Sequence, residues 1–189
     1  MPRKSRALSI ERDPRPTPAE LAAAREQLLP DIMAPALRVL FVGINPGLYS
    51  TALGHHFARP GNRFWPTLAR AGLTPRLLAP REDRRLLELG LGLTNLVART
   101  TARADELSTE ELTAGARALE QKLLRYQPAV VAILGVTAYR AAFQRPHAQL
   151  GRQRERLGAT LLHVLPNPSG LNAHHQLPEL ARLYAEVLR

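Results

Sequence analysis

The chain contains no cysteine, which excludes disulfides, thiolate metal ligands and cysteine nucleophiles and is compatible with a reducing compartment. Lysine is nearly absent: among 26 Lys and Arg residues only Lys4 and Lys122 are lysines. Long apolar runs are missing too. Stretches such as residues 129–136 are far too short to cross a bilayer, and the first residues lack the apolar block of a secretory signal. The expectation is a soluble cytoplasmic protein with no membrane partner. Acidic side chains are scarce, 16 against 26 basic ones, so the formal net charge is +10. Because arginine supplies nearly all of it, a polyanion is the natural partner, arginine being suited to bidentate phosphate contacts. The same excess also reads as a solvated arginine-rich surface.

With 189 residues and 45% hydrophobic composition the chain can bury one proper core. Residues 1–17 carry charges and three prolines without periodicity and read as a disordered basic arm, leaving residues 18–189 as a single domain. Thr17 is placed to cap a helix over 18–29, with Pro18 at its first position. Strand-like and helix-like segments then alternate. Strands are expected over 38–44, 91–97, 129–134 and 160–165, and helices over 62–71, 81–89, 108–126, 135–143 and 177–188. Ser108 and Glu111 have the spacing of a capping box. The basic segment 145–158 carries Arg152 and Arg154, the best local candidates for phosphate binding. Arg63 is a further candidate. This alternation argues for a three-layer α/β/α sandwich around a central, largely parallel sheet, in which ligands bind beyond the carboxyl ends of the strands.

Two loops follow strands directly and so can share that edge. The first is Gly43-Ile44-Asn45-Pro46-Gly47. Its glycines let the backbone approach a planar ligand while Pro46 fixes the turn and holds Asn45 as a rigid polar group. An amide is no general base, but it can orient a water. The loop reads equally as a strand-ending Asx turn. The second is Asn167-Pro168-Ser169-Gly170-Leu171-Asn172. Between them lies Gly54-His55-His56-Phe57, with an aromatic ring able to stack on a base. The two adjacent histidines lack a third ligand of suitable spacing, so no metal or other cofactor is expected; hydrogen bonding is their better role.

These strings in this order, together with Asn62-Arg63-Phe64-Trp65 and residues 94–101, resemble the mismatch-specific uracil and thymine DNA glycosylase family from about residue 34 onward. The resemblance implies a domain that extrudes a nucleotide from duplex DNA containing G·U or related mismatches, acts as a monomer, and hydrolyses the N-glycosidic bond to leave an abasic site. Asn45 would orient the attacking water and Phe57 would stack on the base. Groups around Ile44, Gly47, His56 and Phe57 would meet the base, with Ser50 lining the pocket near C5. Leu171 would be the wedge filling the vacated stack, with Ser169, Gly170 and Asn172 beside the opposite strand. Two departures stand out. Bacterial members carry an arginine after the wedge where this chain has Ala173, and the His55-His56 pair resembles the thymine-directed branch.

An oxocarbenium-like transition state invites a carboxylate. Asp105, in the polar stretch after the second strand, is the candidate, with Glu106 its rival, while Asp83 reads as a helix-surface charge. Asp105 reads equally as a solvated acid ahead of the capping box. No lysine lies in these motifs to form a Schiff base with the sugar, which points to a monofunctional enzyme. The competing readings are a non-catalytic lesion-binding protein and a nucleotide hydrolase or phosphorylase. The latter is disfavoured because the first loop lacks the Lys and Ser/Thr of a phosphate-binding loop.

Overall fold

The computed structural model describes residues 15–170 and 174–188. Its frame is a five-stranded sheet in the order β2-β1-β3-β5-β4. The strands are β1 (Val39–Gly43), β2 (Leu91–Asn95), β3 (Val130–Leu134), β4 (Gly151–Leu157) and β5 (Thr160–Leu165). All neighbours run parallel except β4, which joins β5 antiparallel.

Side-chain alternation decides which layer each strand residue meets. Val39 and Phe41 enter a cluster with Phe64, Leu68, Leu180 and Tyr184, supplied by α3 (Phe64–Arg70) and α6 (Leu177–Ala185). Leu40 and Val42 enter the opposite cluster with Leu119, Leu123 and Tyr139, supplied by α4 (Thr109–Tyr126) and α5 (Val136–Ala142). Helices thus cover both faces, which is why β1, β2 and β3 are buried along their whole length. The expected three-layer α/β/α fold is the one observed.

Both expected caps are present: Thr17 and Glu20 form a capping box on α1 (Pro18–Ala23), and Ser108 and Glu111 form one on α4. The free edge of β2 is closed by an antiparallel bridge between Ile32 and Leu93, with two N–H···O bonds of 2.8 Å. There Lys122 binds Asp31 at 2.6 Å and Thr94 at 2.9 Å, clasping the incoming chain to β2 and α4.

Three expectations need correction. The helix expected over 18–29 is α-helical only to Ala23 and ends in a 3-10 turn, Ala24–Glu26. The expected helix over 81–89 is a 3-10 helix, Pro80–Leu89, stopped by Gly90 in the left-handed conformation. The segment 145–158, for which the sequence predicts no element, contains β4. Arg152, Arg154 and Arg156 alternate along that strand with no apolar face, and it is the hydrogen bonds of β5 that make it extended. A short helix, α2 (Leu48–Leu53), also follows the first loop without having been expected.

Candidate active site

The four parallel strands end at the same edge of the sheet, where residues 43–47, residues 101–104, Asn167 and Ser169 line a cleft of about 150 Å³. In register, Gly43 at the end of β1 lies beside Asn95 at the end of β2. A Cβ on Gly43 would stand 2.5 Å from Asn95 Oδ1 and 3.4 Å from the Phe57 ring. Glycine is therefore required at 43 because an amide and an aromatic ring close over the backbone there.

Asn45 is held by three contacts. Its Nδ2 donates to Thr101 Oγ1 at 2.6 Å, to Arg99 O at 3.0 Å and to Pro46 O at 3.2 Å. Two of these partners are carbonyl oxygens, which only accept, so the amide must turn its NH₂ toward them. Thr101 Oγ1 in turn donates to Arg103 O at 2.7 Å, which leaves it accepting from Asn45. A parallel bridge between Gly47 and Thr101 zips the two segments together. Among the described residues Oδ1 of Asn45 accepts no hydrogen bond, and it is the atom left to receive one from a water or a ligand.

Phe57 has left-handed backbone (φ 53°), an uncommon state for an aromatic residue. Its ring stacks on Phe64 with centroids 4.1 Å apart and planes 21° from parallel. Phe64 meets Phe41 and Trp65 edge-on. One face of Phe57 is thus backed by the core while the residue lines the cleft. Ser50 Oγ accepts from Ala58 N at 3.1 Å, and Trp65 Nε1 donates to His56 O at 3.2 Å.

The turn that presents Phe57 is anchored by Asp83. Expected on a helix surface, Asp83 is only 4% exposed. Its Oδ2 lies 3.2 Å from His55 Nδ1 and accepts from His56 N at 3.3 Å. The 3-10 helix turns this acid inward against the histidine turn, a placement that charge alternation in sequence does not reveal. His56 is buried, and desolvation lowers its pKa below 6.5. It is therefore neutral at pH 7 and donates Nε2–H to Pro30 O at 2.9 Å.

Of the residues singled out in the sequence, Ile44, Asn45, Gly47, Ser50, His56 and Phe57 line this cleft, and so does Ser169, which was expected beside the opposite strand. Asp105 does not. It sits on the 3-10 turn Ala104–Glu106 with its side chain 63% exposed and paired to Arg103 at 2.7 Å, and that guanidinium holds its carboxyl below the ordinary range. Glu106 caps Arg103 N at 2.8 Å and meets Arg25 at 3.4 Å, so it too is spent outside the cleft. No carboxylate is found among the described lining residues.

Arg63 does not line the cleft either. Its guanidinium, expected to meet phosphate, donates to Ser169 O and His175 O, both at 2.6 Å, which turns the group toward the second loop. Arg152 and Arg154 are exposed on β4. Gly170 packs so tightly on the loop before α3 that a Cβ would stand 2.7 Å from Gly61 O. Leu171 and Asn172 lie outside the described residues.

Sequence reasoning missed Asn95, Thr101, Arg59 and Arg103, all of which line the cleft. For Asn95 a signal existed: Thr94 and Asn95 put polar side chains at the carboxyl end of an otherwise apolar strand, the same edge as the first loop. No group of three or more His, Asp or Glu side chains able to hold a metal ion occurs among the described residues. Among them no helix is long and apolar enough to cross a membrane.

An α/β/α domain whose first βα loop offers a fixed amide opposite an aromatic ring defines a binding site for a flat, polar-edged ligand. Residues 30–189 match the family model of the Uracil DNA glycosylase superfamily, and the chain belongs to that superfamily. Membership makes it a DNA-acting hydrolase of N-glycosidic bonds. The fold is also that of a solution NMR structure of a candidate uracil DNA glycosylase from Methanosarcina acetivorans. The two share 17% identity with a TM-score of 0.58, over 86% of this chain and 96% of that one.

Proposed function

We propose that this chain is a monofunctional, mismatch-directed uracil DNA glycosylase of the uracil and thymine mismatch branch. It acts as a monomer on G·U and related lesions in duplex DNA through one domain formed by residues 18–189. The observation that carries the reading is the Asn45 amide, locked by two carbonyls so that only Oδ1 is left for a ligand, in the same cleft as Phe57, whose ring is backed by the core.

In this reading the extruded uracil stacks on Phe57 and its polar edge meets the cleft backbone and Asn95. A water donates one hydrogen bond to Asn45 Oδ1 and directs its lone pair at C1′. As the C1′–N1 bond breaks, its electron pair leaves with the base. The water oxygen bonds to C1′ and sheds a proton to solvent, the departing uracil anion takes up a proton from solvent, and an abasic site and free uracil result. No lysine lines the cleft among the described residues, which supports hydrolysis without a Schiff base and an intact strand as product.

Asp105 is tested by the same experiment. Single-turnover cleavage of a G·U duplex is expected to fall by about a hundredfold or more in Asn45→Ala, the loss typical of a group acting on developing charge or a transferring proton. Asp105→Ala is expected to remain within about twofold of wild type, since RT ln 2 is well below any such contribution. A large loss in Asp105→Ala would return that residue to the chemistry. The lack of a lining carboxylate favours one other reading, a protein that binds lesions without cutting them. Absence of abasic product after long incubation with excess protein would establish it.

A further inference from the structure

The Arg63 side chain reaches both limbs of the second loop. We propose that Arg63 is a positioning residue that holds the two limbs of this loop, Pro168–Gly170 and His174–Gln176, at a fixed separation, and so controls how the loop meets the DNA stack. The inference rests on the reading of that loop as the wedge.

Main-chain carbonyls in and just before these limbs are held by hydrogen bonds. Tyr184 OH donates to Pro166 O at 3.0 Å, and Arg63 N donates to Pro168 O at 3.0 Å. The Arg63 guanidinium then reaches Ser169 O with one terminal nitrogen and His175 O with the other, each at 2.6 Å. One of those carbonyls precedes residues 171–173 in the chain and the other follows them, so a single planar group joins the two limbs. Within the first limb Ser169 N donates to Asn167 Oδ1 at 2.9 Å, and Gly170 rests against Gly61 O. Arg63 itself is the N-cap residue of α3, whose Phe64 backs the Phe57 ring. The same short segment therefore supports the base-stacking ring on one side and the second loop on the other.

Only a rigid fork with two donor nitrogens bridges both carbonyls in this way; a lysine carries the same charge at one point. That difference separates a clamp from a phosphate contact. A wedge whose limbs spread extrudes a paired base less well but leaves an already unpaired base unaffected, because extrusion costs a few kcal/mol only where pairing and stacking are lost.

The test compares wild type, Arg63→Lys and Arg63→Gln on two substrates, a G·U duplex and a duplex with uracil in an unpaired bulge, under single-turnover conditions. Both variants are expected to lose roughly tenfold or more on G·U, the loss set by part of that extrusion cost, and less than about threefold on the bulge. The slope of log binding constant against log salt is expected to stay unchanged, whereas loss of a phosphate contact lowers it by about one. Thermal unfolding of each variant shows whether the fold is intact, and retained bulge cleavage shows that the cleft is. The clamp is overturned if Arg63→Lys keeps wild-type cleavage of G·U, if both substrates lose equally, or if the salt slope falls by about one. If wild type yields no abasic product, or Leu171→Ala leaves G·U cleavage unchanged, it is the glycosylase or wedge reading that fails.

Discussion

His56 sits in the cleft wall with its ring donating to Pro30 O, and its burial has a consequence for pH. Desolvation lowers its pKa from 6.5, so the unfolded chain binds the proton more readily than the folded one. Stability is then full above about pH 6.5 and declines as pH falls below it. His163, whose pKa is lowered by burial and by Arg152, adds to the same limb. Glu82 and Glu111 act lower: arginine partners hold both at about 2, so their contribution is lost only as pH falls from 4.5 toward that value. Melting temperature followed against pH is expected to fall less between about pH 6.5 and pH 5 in His56→Gln than in wild type. A fall of the same size in both would remove His56 as its source. Asp83 gives a second test. Asp83→Ala leaves His56 N–H without its acceptor inside the protein and is expected to cost about 2–4 kcal/mol in denaturant unfolding. It should also raise KM for a uracil duplex more than it lowers kcat, because the Phe57 turn loses its anchor. The residues differ in how far sequence revealed them. Asn45 was legible because a glycine-flanked turn directly after a strand carries it to the sheet edge, and Phe57 because it stands in a motif of the family that the sequence resembles. The surroundings of Asp83, Asp105 and Arg63 were not legible, because their partners lie on other segments or depend on side-chain direction, which spacing does not encode.

The strands of the sheet were legible where burial on both faces makes them continuously apolar, as in β1 and β3, and the helices where caps and periodicity agree, as in α4. β4 was hidden because an edge strand needs only a partner's hydrogen bonds, and α2 because six residues after a loop carry too little periodicity. Gly115 shows how tertiary packing reverses a local rule. It lies within α4, where glycine costs about 1 kcal/mol relative to alanine, so propensity alone expects Gly115→Ala to stabilise. A Cβ there would instead collide with the main-chain carbonyl of Leu96, just past β2. Backbone gives way less easily than a side chain, and the substitution is expected to destabilise by about 1–3 kcal/mol. Denaturant unfolding decides the sign. Because Leu96 N and Val97 N donate to Gly43 O and Ile44 O, a shift of this segment also reaches the first loop, and cleavage is expected to fall with stability.

At the scale of the whole molecule, the +10 formal charge is placed unevenly with respect to the cleft. Arg59 and Arg103 stand in its lining, while Arg152 and Arg154 lie on β4 at the edge of the sheet. The register connects the two regions: Gly151 pairs with Val164 and Arg152 with His163, so β4 starts close to the end of β5, from which the second loop departs. A duplex laid across the carboxyl edge meets Arg152 first and Arg154 about 7 Å farther along the strand, two residues at the rise of a β-strand. These arginines touch no base in such an arrangement, so removing them weakens binding to every sequence alike. Duplex affinity of the Arg152→Gln, Arg154→Gln double variant, measured over a range of salt concentrations, is expected to show a log–log slope shallower by roughly two than wild type, for matched and mismatched DNA equally. Cleavage of G·U under saturating single-turnover conditions is expected to be unchanged, because neither side chain reaches the cleft. An unaltered slope would confine the DNA footprint to the rim formed by Arg59 and Arg103, and a selective loss on mismatched DNA would give β4 a role in recognition instead of simple phosphate attraction.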